Sequence, residues 1–334
     1  MSGRIAHGGG IGAAAALYGG RPEGWLDLST GLNPCPPALP VIADRVWHRL
    51  PDQDLVTRAR QAARGFYGSG NILPLPVPGT QSVIQLLPRL VRPGARVAVV
   101  SPTYGEYGRV LSLNGFAVDR PETPDAVVPA SDLVVVVNPN NPTGRLYPRE
   151  ELLALADRLA GEGGLLVVDE AFGDCDPAAS IVDAVQTRSN LVVFRSFGKF
   201  FGYAGIRLGF VVAPEDMLER FADWLGPWAV SGPALSVAVD LFGREPGPLR
   251  RVIEERRAGL GSALSAAGLT VEGSTPLFAL VTDPRADELH EHLCRAHILT
   301  RKFDYAPTWL RFGLAPEADG DARLAAALAD WRQN

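Results

Sequence analysis

Five short β-branched runs punctuate the middle of the chain: RVAVVS (96–101), DLVVVVN (132–138), GLLVVDE (164–170), NLVVFRS (190–196) and RLGFVVA (207–213). Their apolar residues are consecutive and do not alternate with polar ones, as in sheet strands covered by helices on both faces. Helix-like stretches separate several of them. The clearest is PREELLALADRLAGEG (148–163), which Pro148 opens and glycines close. Strand and helix alternating at this spacing predict an α/β domain with a mostly parallel sheet over residues 50–230. After PWAVSGPALSVAVDLFG the pattern changes, and an arginine-rich helix (248–268) leads into short strands and helices. This predicts a smaller α+β domain over 231–334. Residues 1–49, rich in Gly and Pro, are expected to form an arm that joins the smaller domain and acts as a lid.

Composition narrows the class. The 334 residues are enough for about two domains with a large core. With 46% apolar and 21% charged residues, the chain is neither disordered nor fibrous. A net charge of −5 argues against nucleic acid or an anionic membrane as partner, while leaving room for a local basic pocket. The start, MSGRIAHGGG, has no apolar core of a signal peptide, and runs such as LVVVV (133–137) are too short to cross a membrane. The cysteines, Cys35, Cys175 and Cys294, show no paired spacing, which suits a reduced, cytoplasmic chain. Only two of the 32 basic residues are lysines, Lys199 and Lys302, so chemistry that needs a primary amine has two side chains to use.

Three motif-like features carry little. GGGIGAAAA (8–16) has the dinucleotide-binding spacing but lacks the preceding strand that would aim its helix at a pyrophosphate. Gly198-Lys199 is followed by Phe200 where a phosphate loop needs Ser or Thr. His290, Cys294 and His297 share a helical spacing, but Leu289 and Leu293 already explain an amphipathic helix with a solvated face, and no metal is expected.

The informative residues lie at the ends of the central runs. DLVVVVN passes directly into PNNPTG, which puts Asn141 on a Pro-bracketed turn past a strand's carboxyl end, where α/β folds bind ligands. GLLVVDEAF places Asp169 at the end of the next strand, where a carboxylate is costly unless it meets a cation or a protonated ring nitrogen. Lys199 follows on a Gly-rich aromatic turn, whose partial desolvation would free the amine as a nucleophile. Ser196 and Arg207 suit a phosphate dianion, and the Gly79-Thr80-Gln81-Ser82 turn opens a helix whose amides offer an anion seat. Tyr104, in SPTYGEY, can stack on a flat ring. A phosphate seat, a stacking ring, an Asn, an Asp for a ring nitrogen and a lysine for an aldehyde describe one ligand, pyridoxal 5′-phosphate.

The segments NPNNPTG, DEAF and SFGKFFGYAGIRLG resemble those of the fold-type I pyridoxal-phosphate enzymes, the aspartate aminotransferase superfamily, and the likeness spans essentially the whole chain. The resemblance implies a large α/β/α domain with a smaller C-terminal one, and a homodimer. It implies that Lys199 carries the cofactor, Asp169 pairs with its ring nitrogen, Asn141 bonds its ring hydroxyl and Tyr104 stacks on it. Gly79, Thr80, Gln81, Ser196 and Arg207 would hold the phosphate, and Arg311, in WLRFGL, the substrate α-carboxylate. Within the family, HGGGIGAAAALYGG (7–20), LDLSTGLNPCPP (26–37) and RSFGKFFGYAGIRLGF (195–210) are most similar to decarboxylases of a phosphorylated amino acid, placing Gly8 and Asn33 among the substrate-binding residues. The implied reaction is decarboxylation of L-threonine O-3-phosphate in cobalamin biosynthesis; the alternative is aminotransfer on a substrate such as histidinol phosphate. Decarboxylation requires the substrate phosphate to be clamped against elimination. His7 and Arg301 are the candidates, with Arg4 and Lys302 behind them. Two positions depart from the family pattern: Leu50, in RLPDQD, replaces a tyrosine that reaches the neighbouring subunit's cofactor, and Phe172 replaces one that bonds the ring hydroxyl.

Overall fold

The structure of the protein is a computed structural model that describes residue 5 and residues 7–333; Arg4 lies outside the described residues. The chain divides into two compact units. The larger takes residues 37–141 and 146–245, and the smaller takes the N-terminal segment ending at Pro36, residues 142–145 and the chain from Pro246 onward.

The larger unit is built on a seven-stranded sheet in the order 75–77, 209–212, 191–196, 165–169, 133–137, 97–99, 118–119. The last five run parallel, and Gly209–Val212 is antiparallel to both of its neighbours. All five runs recognised in the sequence form strands. Leu133–Val137 is buried at every position, as burial on both faces requires. One face packs Val135, Val137, Val167, Val192 and Phe194 with Val83, Ile84, Tyr107, Val110 and Leu111 into a continuous core. The strand Leu75–Val77 was hidden in the sequence by Pro76. It lies at the sheet edge, where a missing N–H is tolerated. The helix Arg149–Glu162 starts after Pro148 and stops at Gly163, whose φ of +76° is the left-handed conformation glycine supplies.

The boundaries of the units differ from the expected 49/50 and 230/231. Helix Gly232–Phe242 belongs to the larger unit because its Phe242 packs on Phe66 of helix Gln53–Tyr67, ring centroids 4.8 Å apart. Gly232 also lies close enough to Val46 that a Cβ would stand 3.0 Å from it, which ties in helix Asp44–His48.

The smaller unit holds an antiparallel sheet ordered 301–302, 309–313, 278–282, 270–275, flanked by helices Gly247–Ala266, Ala286–Arg295 and Ala318–Gln333. The N-terminal segment is part of it: Leu26–Asp27 pairs in parallel with Ile298–Leu299, and the Gly313 amide donates to the Leu28 carbonyl at 2.7 Å.

One buried ion cluster braces the larger unit. Arg195, 2% exposed, forms ion pairs with Glu170 and Asp174 and donates to Ser180 Oγ at 3.1 Å, while its guanidinium lies 4.7 Å from the centre of the Tyr67 ring. Removing one partner of such a cluster leaves uncompensated buried charge. Arg195→Met should therefore lower the stability of the folded chain by about 3–5 kcal/mol, read as an earlier midpoint in urea unfolding. An unchanged midpoint would refute a structural role for the cluster.

Candidate active site

Three neighbouring parallel strands deliver the polar groups of the larger unit. Their register pairs Val137 with Asp169 and Asp169 with Phe194. Asn138–Asn141, Asp169 and Ser196–Lys199 therefore leave the sheet at the same edge, the carboxyl ends of the strands.

Asp169 is only 4% exposed. Its Oδ2 accepts a hydrogen bond from the Tyr107 hydroxyl at 2.7 Å, and its Oδ1 accepts one from the Ala171 amide at 2.9 Å. Burial pushes the carboxyl above its ordinary range, against the opposing pull of those two donors and of the Lys199 charge. Lys199 itself stands on the short helix Phe197–Phe200. Buried Phe197, Phe200 and Phe201 surround it in sequence and anchor its backbone; Phe197 stacks on Phe201 at 4.5 Å and meets Phe242 at 5.2 Å. The half-buried Lys199 side chain puts Nζ 5.5 Å from the centre of the Phe172 ring, a cation–π distance.

The Gly79 turn opens the helix Thr80–Ile84 with φ at +75°. A Cβ there would stand 2.7 Å from Arg207 Nη2, so only glycine lets this guanidinium approach the turn. Arg207 is itself left-handed (φ +55°). Gly209, which pairs with Ser196 across the sheet, lies against the Thr80 amide: a Cβ there would be 3.0 Å from it. These contacts bring Gly79, Thr80, Ser196 and Arg207 into one neighbourhood. The Tyr104 hydroxyl donates to Gln81 Oε1 at 3.0 Å, and Gln81 Nε2 donates to Glu106 Oε2 at 3.3 Å. Tyr104 thereby joins the same group, with its ring edge-on to Tyr107 at 6.2 Å. The turn carrying Asn141 is held by its neighbours. Asn140 accepts from Thr103 Oγ1 at 2.5 Å and donates to the Pro102 carbonyl at 2.8 Å, while Asn138 exchanges bonds with the Tyr147 backbone. Taken together, the unit presents an amine, a buried carboxylate suited to a cation, and a glycine turn with an arginine suited to an anion.

The smaller unit brings two arginines together. Arg311, 7% exposed, donates through Nη2 to the Ser29 carbonyl at 2.9 Å and lies 5.0 Å from the centre of the Phe278 ring. Across the sheet it stands directly opposite Arg301. Burial, and then the Arg301 charge, lower the Arg311 guanidinium to about 10. The Gly8 backbone runs against the Ser29 carbonyl, where a Cβ would sit at 2.3 Å, and the Gly9 amide donates to Ser29 Oγ at 2.7 Å. His7 is the residue before them. Asn33 is buried; its side chain accepts from the Cys35 amide at 2.8 Å and donates to the Cys35 carbonyl at 3.2 Å, closing a local turn. Lys302 pairs with Asp287 at 3.1 Å.

Two residues of these networks escaped the sequence reading. Tyr107 follows Tyr104 by one helical turn, a spacing that signals no more than a packed face. Ser29 could have been read from Asp27-x-Ser29, since Asp27 Oδ1 accepts from both the Ser29 amide (2.8 Å) and hydroxyl (2.6 Å). The helix face with His290 and Cys294 is corrected from solvated to packed. Cys294 is fully buried, and His290 Nδ1 bonds Thr300 Oγ1 at 2.9 Å. Burial and the nearby Lys302 charge lower that imidazole to about 4. Among the described residues, no three His, Cys, Asp or Glu side chains gather as a metal site.

Comparison with known proteins gives the chain its family. The model of the aminotransferase class I and II family matches residues 25–328. A protein of a Sinorhizobium species named threonine-phosphate decarboxylase is 62% identical over 98% of this chain and 99% of its own length. A protein of the same name from Pseudomonas aeruginosa is 42% identical over 98% of each. The crystal structure of histidinol-phosphate aminotransferase from Sinorhizobium meliloti in complex with pyridoxal-5′-phosphate superposes with a TM-score of 0.80. It covers 96% of this chain and 94% of that one at 20% identity, a likeness of fold. With its mostly parallel central sheet and separate C-terminal sheet, this chain belongs to the aminotransferase class I and II family.

Proposed function

We propose that the chain decarboxylates L-threonine O-3-phosphate to (R)-1-aminopropan-2-ol O-2-phosphate and carbon dioxide, a step of cobalamin biosynthesis, with pyridoxal 5′-phosphate as cofactor. The observation that carries this reading is the 62% identity, over nearly the full length of both chains, to a relative named for that reaction. The donor set of the larger unit fits the cofactor. A buried carboxylate suits a cationic ring nitrogen, a lysine stands near it, and the Gly79 turn admits a guanidinium where a phosphate needs one. Lys199 would hold the aldehyde, Asp169 the ring nitrogen, Asn141 the ring hydroxyl and Tyr104 the ring face. Gly79, Thr80, Gln81, Ser196 and Arg207 would hold the phosphate.

When bound, the cofactor supplies an aldehyde for the substrate amine and a cationic ring that accepts the electron pair left by departing carbon dioxide. The protein decides which bond of the α-carbon breaks, and it does so by orientation. Arg311 takes the α-carboxylate and sets its direction. Arg301, His7 and Gly8 hold the substrate phosphate out of line for elimination, Arg301 by its forked donors. Lys199 Nζ would be the group that delivers a proton to the α-carbon. Phe172 offers Lys199 an apolar ring and carries no hydroxyl, so the cofactor's ring hydroxyl would have one hydrogen bond fewer than with a tyrosine.

The active form is proposed to be a cytoplasmic homodimer. Leu39, Val41, Trp47 and Leu50 are all at least half exposed within a dozen residues, an apolar stretch of the kind that subunit interfaces cover. None of the three cysteines forms a disulfide, and among the described residues no helix is long and apolar enough to cross a membrane.

Purified protein loaded with pyridoxal phosphate should release carbon dioxide from phosphothreonine alone; a requirement for a 2-oxo acid would favour aminotransfer. Arg301→Met should raise the KM for phosphothreonine about tenfold or more with cofactor binding unchanged, as expected for losing a charged hydrogen-bonding partner. An equal KM in the variant would remove Arg301 from the phosphate. In sedimentation equilibrium, wild type should run at twice the chain mass, and Trp47→Asp combined with Leu50→Asp should shift it toward the monomer. A monomeric wild type would end the dimer proposal.

A further inference from the structure

We propose that Tyr107 is a positioning residue for the cofactor: its hydroxyl, fixed on Asp169 Oδ2, keeps that carboxylate oriented and charged for a cationic ring nitrogen. The inference rests on pyridoxal phosphate being the cofactor, and it concerns a residue with no place in the contacts assigned above.

The geometry is specific. Tyr107 has no exposed surface, and it sits in the core with Val83, Ile84, Val110, Leu111 and Val137. Fully buried among these side chains, the ring is held by close packing with its hydroxyl 2.7 Å from Asp169 Oδ2. The direction of that bond matters. A charged carboxylate only accepts, so Tyr107 must donate; a protonated Asp169 would carry an O–H and lose its attraction for a cation. Burial and the Asp169 charge hold the Tyr107 phenol well above its ordinary range, so it remains a donor at any working pH.

The groups facing Asp169 can be named from every side. Tyr107 comes from helix Glu106–Leu113 and Lys199 from helix Phe197–Phe200, while Glu170 and the Ala171 amide follow on its own chain. Glu170, the like charge among them, is engaged by Arg195. Of the two groups that bond Asp169, the Ala171 amide is backbone and any sequence would supply it. The phenol is the side-chain choice. Tyr104, three residues earlier and ahead of the helix, donates its hydroxyl to Gln81 instead. The two tyrosines thus divide the work, one contributing a ring face and the other a donor.

The test is a double-mutant cycle on the reconstituted holoenzyme with Tyr107→Phe, Asp169→Asn and the pair. Equilibrium dialysis gives the dissociation constant for pyridoxal phosphate across a pH series, and borohydride reduction maps the attachment residue. Tyr107→Phe conserves volume and should fold. It should weaken cofactor binding about tenfold or more, the scale of a hydrogen bond to a charged group. It should also move the acid limb of the binding profile to higher pH, because without the phenol Asp169 takes up its proton sooner as pH falls. In the Asp169→Asn background the same substitution should change binding less than twofold. Equal losses in both backgrounds, or a Phe variant that binds as wild type does with an unmoved acid limb, would overturn the role. Should Asp169→Asn fail to fold, the acid limb of the single Phe variant decides alone. Reduction that labels Lys199 in wild type keeps the cofactor reading intact whatever Tyr107 does. Absence of that label would bring down both.

Discussion

Taking a carboxylate out of water is costly unless donors or a cation meet it, and the cost rises with every neighbour that is apolar. Asp169 bears that cost at the end of a strand whose preceding residues are Val167 and Val168, flanked by Val137 and Phe194. The same register that gives the sheet its two-sided apolar core therefore delivers a desolvated acid to its edge. What surrounds that acid follows from it: a phenol and an amide aimed at its oxygens, a lysine within reach of its charge, and a second acid, Glu170, held in an ion pair by Arg195.

The lysine is placed by aromatic packing. Phe197, Phe200 and Phe201 are sunk among Phe66 and Phe242, so the four-residue helix between strand and loop has a fixed seat although it is too short to be stable alone. Helix Gly232–Phe242 matters for the same reason. It lies far along the chain from the central strands, yet its last residue closes the aromatic cluster under Lys199.

Much of this was legible in the sequence. Consecutive β-branched residues announced five strands, and the residues after them announced an amine, an acid and an asparagine at strand ends. These signals are local, and burial on both faces leaves little choice in how such runs fold. The features that were missed depend on distant partners. Pro76 concealed an edge strand because edge position is a property of the sheet. Helix 232–242 looked like the start of a second domain because its composition says nothing of Phe66. Tyr107 is core and carries no signal of its own; only Asp169, 62 residues away, gives its hydroxyl a polar partner. The face with His290 and Cys294 read as solvated for the converse reason, since Thr300 and the rest of the smaller unit cover it.

Arg301 and Arg311 stand directly opposite each other on adjacent antiparallel strands, an arrangement that repulsion between like charges disfavours. An anion shared by the pair relieves that repulsion, and by mass action it draws the chain toward its folded form. Oxyanions in ordinary handling solutions then cease to be inert. Sulfate or phosphate chosen for purification or crystal growth would act as a weak ligand of the smaller unit, and a thermal-shift screen across buffers would rank salts by how well each occupies this pair of guanidinium groups.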